Sequence, residues 1–224
     1  MENSPRVILV NAGPHQHGCT DRALREVAGA LEREGVGGDV FWVGTKPLAS
    51  CIACKRCAET GRCVFDDRVN DFVKVALNYD GIVLGSPVHF GAATGAATAF
   101  FDRAFYTLRQ NVGDAGFRMK VGAAVTSCRR AGNTATIDQL NRYFQLLQMP
   151  IATSRYWNIV HGATAEEVER DEEGLQAMRF LGGNMAFLIK AIRAAREAGM
   201  SLPAQEPIAY TNFIGPEPAD GERD

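Results

Sequence analysis

The chain has 224 residues, 46% of them hydrophobic, enough to bury one sizeable α/β core but too few for two full domains. Its 24 basic residues stand against 26 acidic ones, so nothing marks it as a nucleic-acid binder. No segment approaches the apolar length that spans a bilayer, and no secretory pattern opens the chain, so a soluble, cytoplasmic protein is the expectation.

Arg6 to Ala12 (R-V-I-L-V-N-A) is a continuous apolar run of the kind a buried parallel strand shows, and it empties into G-P-H-Q-H-G-C-T-D. Ala23, Leu24, Val27, Ala28 and Leu31 then recur at helical spacing, with Thr20 as the predicted N-cap and Gly35 as the stop. Strand, loop and helix together make a site for a phosphate: glycines let the backbone approach, Thr20 offers a hydroxyl, and N–H groups at the helix start face the anion. The fingerprint G-x-G-x-x-G is missing, which favours a mononucleotide over a dinucleotide. Glycine, proline and threonine also serve turn chemistry alone in many such loops.

Asp39 to Val43 is the predicted second strand. Directly after it, C-I-A-C-K-R-C-A-E-T-G-R-C gathers four of the six cysteines: Cys51, Cys54, Cys57 and Cys63. Three thiols recur at every third residue and the fourth returns after Gly61, a cup that suits a cubane [4Fe-4S] cluster. Structural zinc more often takes two C-x2-C knuckles separated by a longer arm. Disulfides are set aside, because the chain is too large to need stapling and carries no secretory pattern. Zinc, and unligated or redox-active thiols, remain as alternatives. Lys55, Arg56 and Arg62 lie among the thiols, where they either offset an anionic cluster or face solvent. Cys19 and Cys128 have no partner at ligand spacing.

A helix is predicted from about Arg68 to Asn78 on the stripe Val69, Phe72, Val73, Ala76 and Leu77. Gly81 to Gly85 is the third strand, and S-P-V-H-F-G-A-A-T-G follows at its carboxyl end. Ligands of open parallel sheets sit outside the carboxyl ends of the strands, so the loops after strands one and three should face one crevice. Pro87 stiffens the second of these loops, and Gly91 lets backbone approach a planar ring. Gly95 to Tyr106 is a helix whose Ala96, Ala97, Phe100, Phe101 and Ala104 read as a packing face. Val121 to Ser127 is the fourth strand, opening into C-R-R-A-G-N-T-A. Arg129 and Arg130 there either hold an anionic group through bidentate hydrogen bonds or are surface charge. A helix on Ile137, Leu140, Phe144 and Leu147 leads past Pro150 to a short fifth strand between Ile151 and Val160. From Thr164 to Gly199 an acidic entry and the stripe around Leu175, Met178, Leu181 and Met185 predict one amphipathic helix, packed on the sheet or across a dimer interface. The four prolines after Ser201 predict an extended, partly disordered tail.

The stretches V-I-L-V-N-A-G-P-H-Q-H-G-C-T, C-I-A-C-K-R-C-A-E-T-G-R-C and G-S-P-V-H-F-G-A-A-T-G, in this order and separation, resemble the iron-sulfur flavoproteins of the flavodoxin-like, NADPH-dependent FMN reductase superfamily. The likeness runs from about Val7 to Tyr106 and more loosely to His161. The expected fold is a doubly wound five-stranded parallel sheet of order 2-1-3-4-5. It spans residues 1–162 as the FMN-binding domain, with the cysteine loop at 48–66 on the carboxyl-end rim, a helical extension at 163–200 and a tail at 201–224. The resemblance implies FMN and one [4Fe-4S] cluster held by the four clustered cysteines. His15, His17, Gly18, Cys19 and Thr20 fall on its phosphate loop. Pro87, Val88, His89, Phe90 and Gly91 fall on its ring loop, and Ser127 and Arg129 on a third flavin loop. The chain departs from the family pattern at His15 and Cys19, where Arg and Asn are usual, and at His89, where Tyr is common.

FMN is expected rather than FAD, because the chain has one phosphate loop and no second nucleotide-binding unit for an adenylate half. The chemistry implied is hydride transfer to FMN and single-electron delivery through the cluster to an acceptor such as ferredoxin, in at least a homodimer. The most specific substrate is a small anion, 2-amino-4-deoxychorismate, oxidised to 3-enolpyruvoylanthranilate, with Arg129 and Arg130 as carboxylate clamp and His89 as base. The alternatives are an NAD(P)H-dependent FMN or quinone reductase and a non-enzymatic electron carrier.

Overall fold

The computed structural model describes residues 4–209, 211 and 213. In chain order the elements are β1 (Arg6–Asn11), α1 (Cys19–Arg33), β2 (Gly37–Trp42), α2 (Arg56–Thr60), α3 (Arg68–Val75), β3 (Gly81–His89), β4 (Ala92–Ala93) and α4 (Gly95–Val112). There follow β5 (Val121–Cys128), α5 (Asn133–Leu146), β6 (Ile159–His161), α6 (Ala165–Val168) and α7 (Glu172–Glu197). The main sheet is parallel in the order β2-β1-β3-β5-β6. The expected five strands become six because the ring loop folds back as β4, antiparallel to the end of β3. The path through the parallel strands is otherwise the doubly wound one that reverses direction beside β1.

Each central strand is apolar on both sides, and its alternate residues feed two separate cores. Ile8, Val10, Ile82, Leu84 and Ala124 face the aromatic layer of Phe72, Phe100, Phe101 and Phe144, contributed by α3, α4 and α5. Val7, Leu9, Val83, Ala123 and Val125 face Leu24, Val27, Leu31, Met178, Leu181 and Met185, contributed by α1 and α7. The two helices of that second layer touch at Gly182, where a Cβ would stand 2.5 Å from that of Ala30. Gly35, at φ 75°, ends α1 in the left-handed turn that its sequence signals.

The single helix expected from Thr164 onward is two helices. Thr164 caps α6 by accepting from the Glu167 N–H (3.3 Å), the chain then turns, and Asp171 caps α7 by accepting from the Gly174 N–H (3.0 Å). Two capping side chains seven residues apart outweigh the acidic run that reads as one helical entry. Residues 201–209 carry neither helix nor strand and are tied at Pro203, whose carbonyl accepts from Arg118 (2.8 Å), and at Gln205, which accepts from Gln148 (2.9 Å). The rest of the predicted tail, other than residues 211 and 213, lies outside the described residues. Among those residues no helix is long and apolar enough to cross a membrane.

Candidate functional site

The loops at the carboxyl ends of β1, β3, β5 and β6 enclose a crevice of about 260 Å³. Its first wall is the loop between β1 and α1, shaped by residues that the sequence pattern does not single out. Asn11, fully buried at the end of β1, accepts from the Gly13 N–H (2.9 Å) and donates to the Gln16 carbonyl (3.2 Å). Trp42, at the end of β2, donates to the Gly13 carbonyl (3.0 Å). Helix α1 starts at Cys19 with Gly18 in the capping position and no side chain capping its first turn. Thr20 is therefore not the N-cap. It stands inside the first turn, buried, with Oγ1 2.9 Å from the equally buried Ser127 Oγ. That one hydrogen bond uses one hydroxyl hydrogen of the pair and leaves the other available to a ligand. The uncapped first turn and this spare donor are the kind of groups that suit an anion. The nearby Asp21 carboxylate is offset by Arg25 (2.7 Å), and His17 Nδ1 lies 3.3 Å from it.

The opposite wall is the end of β3, which runs four residues past the predicted strand end, through Ser86 and Pro87 to His89, because Pro87 still pairs in register with Ser127 of β5. Phe90 (φ 51°) and Gly91 (φ 78°) make the turn into β4. Gly132 (φ 93°) is pressed beneath that turn: a Cβ there would lie 2.8 Å from Val88 and 2.9 Å from the Gly91 Cα. Thr94 joins this wall to the first, capping α4 through the Ala97 N–H (3.0 Å) while its hydroxyl donates to the Ala12 carbonyl (3.4 Å).

Nine of the thirteen expected residues on these loops therefore meet: His15, Gly18, Cys19, Thr20, Pro87, Val88, His89, Ser127 and Arg129 line the crevice. The other four do not line it. His17 points outward with its side chain 71% exposed, and Phe90 is wholly exposed at the tip of its turn. Gly91 belongs to the turn beneath Phe90, and Arg130 is exposed on the loop after β5. Cys128, Gly162 and Ala163 add wall that the sequence reading did not assign. Burial pushes the Cys19 and Cys128 thiols up, so both are protonated near neutrality and serve as small wall groups.

The cysteine loop leaves the carboxyl end of β2 and settles against α4. All four of its thiols line one void of about 20 Å³. Cys57 is buried on α2, Cys63 is half-buried, and Cys51 and Cys54 are exposed. Ala53 and Lys55 both take positive φ (51° and 56°), which winds the short C-x2-C spacers tightly. Asn70, buried on α3, holds Cys63 from both sides of its peptide: it accepts from the Cys63 N–H (2.8 Å) and donates to the Cys63 carbonyl (3.0 Å).

Helix α4 grips the same loop with a polar stripe at four-residue intervals, Arg103, Thr107 and Asn111. Arg103 Nε donates to Cys63 Sγ (3.2 Å), Thr107 lines the void beside Cys57, and Asn111 donates to the Gly61 carbonyl (2.6 Å). Burial pushes the Cys57 thiol up while the Thr107 hydroxyl works against that rise. None of the three was expected from the sequence, and the signal was there: polar residues recur every fourth position through a helix whose other face is Ala and Phe. From Gly95 at the ring loop to Arg103 is eight residues, about 12 Å along the helix axis. Among the described residues no three His, Cys, Asp or Glu side chains are grouped as ligands of a single metal ion. The donor set nonetheless fits an anionic cluster: four thiols share one void, with a buried guanidinium and a hydroxyl on its wall. A void of about 20 Å³ holds little more than one water, and Cys51 and Cys54 form its exposed side.

Comparison with known proteins agrees with this geometry. Residues 5–164 match the family described as NADPH-dependent FMN reductase. An iron-sulfur flavoprotein of Methanocaldococcus jannaschii is 30% identical over 198 residues, covering 84% of this chain and 99% of the relative. Another iron-sulfur flavoprotein, from Archaeoglobus fulgidus, is 26% identical over 181 residues, covering 77% of this chain and 92% of the relative. Among solved structures, a flavodoxin described as WrbA-like from Agrobacterium tumefaciens superposes with a TM-score of 0.57 at 14% identity, covering 84% of this chain and 99% of that one, a likeness of fold.

Proposed function

The chain belongs to the NADPH-dependent FMN reductase family and is an FMN-binding, flavin-dependent oxidoreductase; we propose that it takes a hydride from a small anionic organic substrate and delivers the electrons singly through a [4Fe-4S] cluster. The observation that carries this reading is the pairing, on one sheet, of a crevice with an uncapped helix start and a four-cysteine void buttressed by α4. When bound, FMN supplies the hydride acceptor and the cluster supplies the one-electron outlet, toward an acceptor such as ferredoxin.

The chain's own groups then divide the work. The first-turn N–H groups of α1 and the spare hydroxyl hydrogen of the Thr20–Ser127 pair hold the phosphate. The backbone from Pro87 to His89 carries the ring, with Gly132 fixing the turn beneath it. Arg129 binds a substrate carboxylate and His89 takes up the departing proton, both from the crevice wall. Cys51, Cys54, Cys57 and Cys63 ligate the cluster. Phe180 and Phe187, exposed on α7, support a working unit of at least two chains.

Within the anionic class the specific candidate is 2-amino-4-deoxychorismate, whose oxidation gives the aromatic 3-enolpyruvoylanthranilate. A nicotinamide donor is the second reading, favoured by the family match over residues 5–164. Anaerobic titration of the holoprotein, followed at the flavin absorption band, separates them. Bleaching by 2-amino-4-deoxychorismate with formation of the aromatic product is the expected result. Rapid bleaching by NADPH, with none by the acid, assigns the donor to a nicotinamide instead, and bleaching by neither points to an electron carrier.

A further inference from the structure

Arg103 is an arginine with its side chain wholly removed from solvent, on a helix that otherwise packs Ala and Phe. Burying a guanidinium is costly unless each of its N–H groups finds an acceptor. Here all five donors of the fork are met. Nε donates to Cys63 Sγ (3.2 Å). Nη1 donates to Asp67 Oδ2 (2.8 Å) and the Ala49 carbonyl (3.3 Å), and Nη2 to Asp67 Oδ1 (3.0 Å) and the Phe65 carbonyl (3.4 Å). The guanidinium also lies 4.9 Å from the centre of the Phe65 ring. Its acceptors come from both ends of the cysteine loop, Ala49 before the first cysteine and Cys63 to Asp67 after the third. Asp67 neutralises the charge, which leaves the Nε–H as a directed donor to one sulfur. Thr107, one helical turn on and buried, lines the same void as a second sulfur, that of Cys57.

We infer that Arg103 and Thr107 are positioning residues that raise the reduction potential of the cluster by hydrogen-bonding two of its four ligand sulfurs, an inference that rests on the cluster assignment above. Donors to ligand sulfurs stabilise the more negative, reduced state of an iron-sulfur centre, so removing one moves the potential downward. Asn111 provides the internal contrast: it grips the same loop through the Gly61 carbonyl and touches no sulfur.

The test is an anaerobic redox titration of full-length protein, reading the electron-paramagnetic-resonance signal of the reduced cluster and the flavin absorbance in the same sample, with iron and acid-labile sulfide measured per chain. Thr107→Val keeps shape and loses the hydroxyl. Arg103→Lys keeps the charge but, with a single nitrogen, cannot meet Cys63, Asp67, Ala49 and Phe65 together. The expected result is a cluster midpoint moved to more negative potential in both, the flavin couples unmoved, and Asn111→Ala at the wild-type value. If the lysine variant loses its iron, Thr107→Val against Asn111→Ala decides. A wild-type midpoint in Thr107→Val, or an equal shift in Asn111→Ala, overturns the inference. Wild-type protein without iron overturns the cluster assignment instead, before any variant is compared.

Discussion

Cys57→Ser is expected to strip iron and sulfide from the protein while leaving FMN in place. Cys57 is the most enclosed of the four thiols, set on α2 between the exposed Cys51 and Cys54 and the half-buried Cys63. A serine hydroxyl is a hard, weakly acidic ligand where iron-sulfur chemistry calls for a soft thiolate, so the site loses the ligand that its buried wall presents. The flavin loops share no residue with the cysteine loop, and α4 separates the ring loop from Arg103 by about 12 Å, so the crevice has no reason to open. Iron and sulfide falling to background with flavin at the wild-type ratio is the result to look for. Full iron retention in this variant would remove Cys57 from the ligand set.

Thr20→Val should do the reverse, weakening FMN and sparing iron. The substitution removes one of the two paired hydroxyls that line the crevice and leaves Ser127 without its partner. Hydrogen bonds to charged groups contribute about 1.5–3 kcal/mol, which converts to a Kd raised roughly ten- to a hundredfold. Ser127, 1% exposed, is also left with an unmet hydroxyl in the apo protein. Flavin fluorescence quenching on titration reads the affinity, and colorimetric iron reads the other site. An unchanged Kd would show that the hydroxyl pair serves only the fold.

The regular parts of the fold were legible because their signals are local. The run from Val7 to Val10 has no polar break, as a strand buried on both faces requires, and Gly35 stops α1 where the left-handed turn falls. Errors arose where a tertiary partner decides. Thr20 reads as an N-cap by residue type, yet Ser127, more than a hundred positions away, takes its hydroxyl into the helix-start cluster and leaves the capping position to Gly18. Pro87 reads as a loop residue beyond a strand ending at Gly85, but β5 lies alongside and keeps β3 extended to His89. The ring loop's return as β4 depends on two residues with positive φ, Phe90 and Gly91, of which only the glycine is marked by type.

The site divides in the same way. Spacing alone identified the four cysteines that line one void, and a strand followed by a glycine-rich loop identified most of the crevice. The side chains that organise these loops stayed hidden because they sit on other elements: Asn11 and Trp42 for the phosphate loop, Asn70 and Arg103 for the cysteine loop. Arg103 is the clearest case. Within A-F-F-D-R-A-F it passes for a solvent-facing charge, and only the folded loop supplies the five acceptors that let it be buried.

The most direct measurement is the count of flavin, iron and acid-labile sulfide per chain in wild-type protein purified without oxygen. One FMN with about four iron and about four sulfide is the expected composition, together with a broad charge-transfer absorbance beneath the flavin bands that bleaches on reduction. Full flavin occupancy with iron and sulfide at background would contradict it, and would make the four cysteines a thiol cluster on a flavin reductase.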